Sequence, residues 1–238
     1  LMNEHLTTDT AFLSPILKST AVQSFTISAT ADQTVSSGVT VSSGQAASNT
    51  ILASGGSLLV NSGGVTSAIT LNGSGVSGQV LGQALWSIIS GGAQMIVSSG
   101  ATTTGTIAVS GGAEYIAAGA SAFGTDLAAH GHARIAAGAT LTSAVISGSG
   151  SGWISGSAIS TTLAGGWQIL SSGGVASNTL ALSGGYEYVS SGGITSNTTV
   201  SSGGAEYVDA SGIARGTLVA SNGRLTVSSG GTASGTTL

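Results

Sequence analysis

The sequence holds no cysteine and a single proline, Pro15. No disulfide can brace such a fold and no thiolate can hold a metal. Charge is nearly as scarce: Asp, Glu, Lys and Arg together make up 5% of the chain, where about 25% is usual. The four bases are Lys18, Arg134, Arg215 and Arg224; eight acids oppose them, for a net charge of −4. A chain this poor in cations has no electrostatic footprint for nucleic acid and no polybasic patch for an anionic membrane. No apolar run approaches the ~18 residues of a membrane-spanning helix, so no membrane contact is expected. No basic-then-apolar leader is legible at the N-terminus. Scarce charge combined with 41% hydrophobic residues argues against intrinsic disorder.

Glycine is abundant, at 40 of 238 residues, about twice the usual share of ~7%. It does not recur at every third position, which excludes collagen. Instead the chain repeats every 19 residues. Ser171–Val189 reads SSGGVASNTLALSGGYEYV and Ser190–Val208 reads SSGGITSNTTVSSGGAEYV, superposing without a gap. A short unit that recurs this often is the signature of a solenoid, in which each unit buries its apolar side only by stacking on its neighbours. Glycine at this density costs ~1 kcal/mol per residue in a helix, so the short apolar runs between glycines read as strands. The expected fold is all-β: a right-handed parallel β-helix of about ten turns of roughly 19 residues.

Stacked turns place equivalent residues above one another, ~4.8 Å apart. One column is aliphatic throughout: Val41, Val60, Val97, Ile116, Ile135, Leu170, Val189, Val208 and Val227. It reads as an inward ladder. The preceding column, with Leu59, Ile96, Tyr115, Arg134, Ile169, Tyr188, Tyr207 and Thr226, is mixed and reads as outward, as the period-2 alternation of a strand requires. Val189, Val208 and Val227 are therefore expected inside, and Tyr188, Tyr207 and Thr226 outside. A second column carries Thr50, Thr106, Thr125, Thr179, Thr198, Thr217 and Thr236, whose hydroxyls are expected to bond along the ladder. Two residues on lies a third, with Leu52, Leu71, Ala108, Leu127, Ile146, Ala181, Val200, Val219 and Leu238. Each turn thus supplies at least two strands, divided by glycine pairs that turn the corners.

The period breaks twice. Val60 to Val97 spans 37 residues, and Ile154 to Leu170 spans 16. Trp86, Trp153 and Trp167 lie in or beside these turns. They read as bulk filling a disturbed column, or as a platform on which a ligand stacks. Residues 1–25 do not fit the repeat and are the candidate N-terminal cap, with residues 26–238 forming the array. The last repeat stops in mid-turn at Leu238, so end-to-end pairing of exposed strand edges joins face-to-face contact as a route to self-association.

Residues that could carry chemistry are few. Glu187 and Glu206 share a column in adjacent turns, with Asp209 nearby, but neighbouring rungs stand only ~4.8 Å apart, against the ~5–9.5 Å between the carboxyl groups of a glycosidase. A related GG-x-E-Y motif recurs at Gly111–Ile116, so the Glu belongs to the repeat. His130 and His132 form an H-x-H pair, with Asp126 as the nearest further ligand; they read as an exposed corner rather than a metal site. Thr102–Thr104, Thr161–Thr162 and Thr198–Thr199 are out of phase and do not form the twin threonine files of an ice-binding face. No catalytic, cofactor or metal site is assigned.

The unit SSGG-x-x-SNT-x-x-x-SGG-x-E-Y-V at Ser171–Val189 and Ser190–Val208 resembles the repeats of AIDA-type autotransporter adhesins. The resemblance covers about residues 35–238. It implies a β-helical passenger displayed outside the outer membrane of a Gram-negative cell, anchored by a separate barrel. Adhesion to a host-cell or bacterial surface receptor, or self-association, is the implied work. It also implies a glycosyltransferase as partner, since some members carry heptose on repeat Ser or Thr; Ser98, Ser171, Ser190 and Ser228 are then the candidate acceptors. Two alternatives stand beside the adhesin: a carbohydrate-active β-helix enzyme, and a module that serves only as glycosyltransferase acceptor or spacer.

Overall fold

The computed structural model describes residues 33–238. The expected cap at residues 1–25 lies outside this range. The described residues form 33 strands in three sheets of 11, and every strand pairing is parallel. The chain is a β-solenoid of about 11 turns, each contributing one strand to each sheet. We call the sheets A, B and C in the order the chain meets them after Gly38. Sheet A begins with Gly38–Val41, sheet B with Ala46–Ser48, and sheet C with Gln33–Val35 followed by Thr50–Leu52.

The aliphatic column is the inner ladder of sheet A. Val41, Val60, Val97, Ile116, Ile135, Leu170, Val189 and Val208 are all buried, while Tyr188 and Tyr207 sit half-buried on the outer side. The third column is the inner ladder of sheet C, from Leu52 to Val219. Sheet B supplies the strand that the columns did not reveal. Its inward residues are mostly small: Ala47, Ala84, Ala122, Ala158, Ala176 and Ala214, with Thr66, Thr103 and Thr195 among them and Leu141 the one large member. Val227 and Leu238 belong to the inner columns by register, but they are 41% and 95% exposed. No further rung among the described residues lies over them, so alternation alone does not bury them.

Both breaks in the period resolve into shortened corners. Val80 pairs between Val60 and Val97, dividing the 37-residue interval into turns of 20 and 17. Ile154 pairs directly with Leu170 across the 16-residue turn. In each case the A-to-B corner shrinks from four residues, as in Asn61–Gly64, to two: Leu81–Gly82 and Ser155–Gly156. The strands stay in register; the C-to-A connection supplies the remainder, one residue longer before Ser77 and one shorter before Trp167. A tight corner brings backbone against backbone. A Cβ on Gly156 would collide with the carbonyl oxygens of Ala136 and Ala139, and one on Gly82 with those of Gly64 and Asn61. Gly156→Ala is therefore expected to cost about 1–3 kcal/mol, the range of an overpacked core. Thermal melts should show it well below Ser155→Ala, whose side chain sits in the same corner without such a contact; equal midpoints would refute the account.

The B-to-C corner uses one residue with left-handed backbone. Asn178 and Asn197 fill it at φ 56° and 57°, a conformation that asparagine tolerates better than most residues. Trp86 takes the same position at φ 54°. Its ring lies over Gly105 of the next turn, where a Cβ would collide with the indole. At 62% exposure Trp86 covers a corner and fills no interior space.

Candidate functional site

The acids of the repeat point inward. With Val189 inside and Tyr188 outside, period-2 alternation also puts Glu187 inside. Glu114, Glu187 and Glu206 are fully buried. Their partners are the threonine columns. Glu114 accepts hydrogen bonds from Thr103, Thr106 and Thr125 at 2.7, 3.1 and 3.0 Å. Glu187 accepts from Thr179, Thr195 and Thr198 at 3.0, 3.3 and 2.8 Å, and from Nε2 of Gln168 at 2.7 Å. Glu206 accepts from Thr217 at 2.8 Å. The expected bonding of threonines along their own column is thus replaced by bonding across the interior to carboxyl groups. Burial, which disfavours a charge, pushes all three carboxyls up, against the opposing pull of the threonine bonds. Glu206 reaches about 8, through burial first and the neighbouring Glu187 second. All three carboxyl groups are interior, and neither Glu187 nor Glu206 is presented to a substrate. They also mark a break in the apolar core. One cluster runs from Val39 to Ala181, another comprises Val189, Val208 and Ala214, and Gln168, Glu187, Thr195 and Thr198 share the rungs between.

The outer face of sheet A gathers the aromatic residues. Its two outward columns carry Tyr115, His132, Arg134, Trp153, Trp167, Tyr186, Tyr188, Tyr207 and Arg224 across seven consecutive rungs. Trp153 and Trp167 meet edge to face, centroids 5.0 Å apart. His132 sits between Tyr115 at 6.3 Å and Trp153 at 5.8 Å, again edge to face. Tyr188 and Tyr207 stack at 5.1 Å and 11°. The Arg134 guanidinium lies 5.1 Å over the Trp153 ring, and that of Arg224 lies 5.7 Å over Tyr207. Such arrangements follow the quadrupole of the rings, negative at the face and positive at the edge. A groove of about 310 Å³ runs beside Ile96, Tyr115, Arg134, Trp153, Ser155 and Ser171; a second, of about 450 Å³, continues from Ile96 past Leu59 and Thr40.

The two histidines part company. His130 turns an exposed corner at φ 68°, while His132 stands on the aromatic face. Partial burial pulls the His132 imidazole below its ordinary value; a hydrogen bond with the His130 backbone opposes this and the charge of Arg134 adds to it. Among the described residues no three His, Cys, Asp or Glu side chains gather as a metal site would need.

Ser98, Ser171, Ser190 and Ser228 each open an A-to-B corner, directly after a sheet A strand. The first three are half-buried and Ser228 is exposed. The next residues, Ser99, Ser172, Ser191 and Ser229, stand fully at the corner tips. On the outer face of sheet C, Ile51, Ile88, Ile107, Val145 and Leu218 are 37–44% exposed, with Thr70, Asp126, Thr162 and Thr199 interleaved in the same column.

Sequence reasoning put Tyr115, Arg134, Tyr188 and Tyr207 in one outward column but did not recognise an aromatic face. Trp167 escaped because the 16-residue turn shifts it onto the column of His132 and Tyr186, which only the pairing register reveals.

No family model matches the chain, and no curated protein matches it by sequence. Among solved structures, the fold is similar to the TibC-catalysed, hyper-glycosylated fragment of TibA, with 28% sequence identity and a TM-score of 0.61, over 91% of this chain and 96% of that one.

Proposed function

We propose that this chain is a β-helical passenger segment of a bacterial surface adhesin, displayed outside the outer membrane, and that its corner serines are substrates of a glycosyltransferase. The observation that carries the reading is the near full-length likeness to a hyper-glycosylated β-helix fragment. The serine file supports it, because the A-to-B corners at 98–101, 171–174, 190–193 and 228–231 present paired serine hydroxyls on a narrow, solvent-facing turn, whereas those at 117–120 and 136–139 carry alanine instead. The regular outer faces suit adhesion to a cell-surface receptor, with contact spread over many rungs. Lateral self-association would use the exposed aliphatic side chains scattered along the outer face of sheet C, since burying them against a second copy removes apolar surface from water.

The acceptor role is tested by co-expressing the chain with TibC and measuring intact mass. The expected result is a ladder of sugar-sized increments. Replacing Ser98, Ser171, Ser190 and Ser228 with alanine should remove some of them, and replacing Ser99, Ser172, Ser191 and Ser229 as well should remove most. An unmodified mass from folded, soluble protein would overturn the acceptor role.

A further inference from the structure

The outer face of sheet A carries groups that neither the fold nor the acceptor role employs. Arg134 is exposed and has no carboxylate partner among the described residues. Its guanidinium is held over Trp153, which fixes the fork in place without satisfying it. The described acids lie elsewhere: Glu114, Glu187 and Glu206 are interior, Asp126 is on the outer face of sheet C, and Asp209 is in a corner. Among the described residues the outer face of sheet A is thus free of acid and carries two arginines together with the aromatic file, a combination that the outer face of sheet B, with Arg215 alone, lacks.

We propose that this face, centred on Arg134, Trp153 and Trp167, binds a carboxylate-bearing polysaccharide of the uronic-acid class. The proposal rests on the adhesin reading and names what such an adhesin would hold. Sugar rings present C–H faces, which pack against the negative faces of aromatic rings. A planar guanidinium takes a carboxylate through two parallel hydrogen bonds. The grooves meeting at Ile96 and the aromatic file beyond them give an extended track along the solenoid axis, suited to a linear chain rather than a compact ligand. Nucleic acid fits less well, because tracking a phosphate backbone needs many cations and this face has two arginines, five rungs apart.

The test uses the whole chain with Trp86→Phe, so that indole fluorescence reports only Trp153 and Trp167. Oligogalacturonate is titrated against it, with a neutral maltooligosaccharide of equal length and single-stranded DNA as comparisons. Oligogalacturonate is expected to change the fluorescence saturably and to bind at least tenfold more tightly than either. Arg134→Gln should erase that preference while leaving the melting temperature unchanged; Trp153→Ala, with folding verified by circular dichroism, should weaken binding of every sugar. Equal affinity for the neutral sugar, tighter binding of DNA, an unaffected Arg134→Gln variant, or no binding at millimolar ligand would each overturn the proposal. Dimerisation abolished by Arg134→Gln would do so too, by identifying the face as a contact between copies. If displayed protein still adheres to cells when oligogalacturonate fails to bind, the adhesin reading survives and only this ligand assignment falls.

Discussion

Raising the pH from 7 to 9 is expected to lower the thermal midpoint of the protein, and the double variant Glu187→Gln, Glu206→Gln is expected to resist that fall. The carboxyl of Glu206 is raised from its ordinary 4.5 to about 8 in the folded chain. A group raised in this way contributes its stability fully below the unfolded value and loses it as pH climbs through the folded one. Between the two values each such group forfeits about 1.4 kcal/mol per pH unit. Glu114 and Glu187 are displaced in the same direction by the same cause, burial. His132 works oppositely, because its lowered value costs stability only as pH falls below about 6.5. The Tyr188 hydroxyl is pushed upward from 10 by burial and by its tyrosine neighbours. The window from 7 to 9 therefore isolates the interior acids. Gln preserves the shape and one acceptor oxygen, and its amide can donate to threonine hydroxyls that turn to accept where the second oxygen stood, so the double variant should fold at pH 7. Parallel melting curves across the window for both proteins would show that the carboxyls are not responsible.

Val208→Asp should be severely destabilising. Val208 is fully buried between Val189 and the rung of Val227. An aspartate there would face stacked aliphatics with no base in reach, since the described interior polar groups are acids, amides and hydroxyls. An uncompensated buried charge costs about 4 kcal/mol or more. For a chain of this size that is about 10 °C or more in melting midpoint. Thr226→Asp, on the outer column one rung away, should shift the midpoint by no more than about 2 °C. The two variants differ in the direction the side chain points, so equal melting temperatures would overturn the inward assignment of Val208.

Much of this architecture was legible because stacking turns a linear repeat into columns, and columns restrict side chains. Val189 and Val208 are alike because the same interior surrounds both. The third strand was illegible for the complementary reason. The interior of sheet B is lined with Ala176, Thr195 and Ala214, small residues that also occur in corners. Alternation carries the interior position of Glu187, yet the sequence reading left it undrawn, because a buried carboxyl makes sense only once Thr179, Thr195 and Thr198 are known to converge on it from the other sheets. That convergence is a property of the cross-section, which a column does not contain. The aromatic face was obscured by corner length: two missing residues at Ser155–Gly156 and one more before Trp167 break the numerical period while leaving the pairing whole.

Each turn is bonded only to the turn before it and the turn after it, and those hydrogen bonds point along the axis. Tension applied between the two ends would be borne in series, with the weakest interface yielding first and its neighbours left intact. Every turn that peels away would pay out about 60 Å of slack, the reach of some 19 extended residues. A tether built this way lengthens under load in instalments and dissipates work at each one. In the proposed adhesin role, such a segment would act as a shock absorber, sparing the grip by surrendering its own turns.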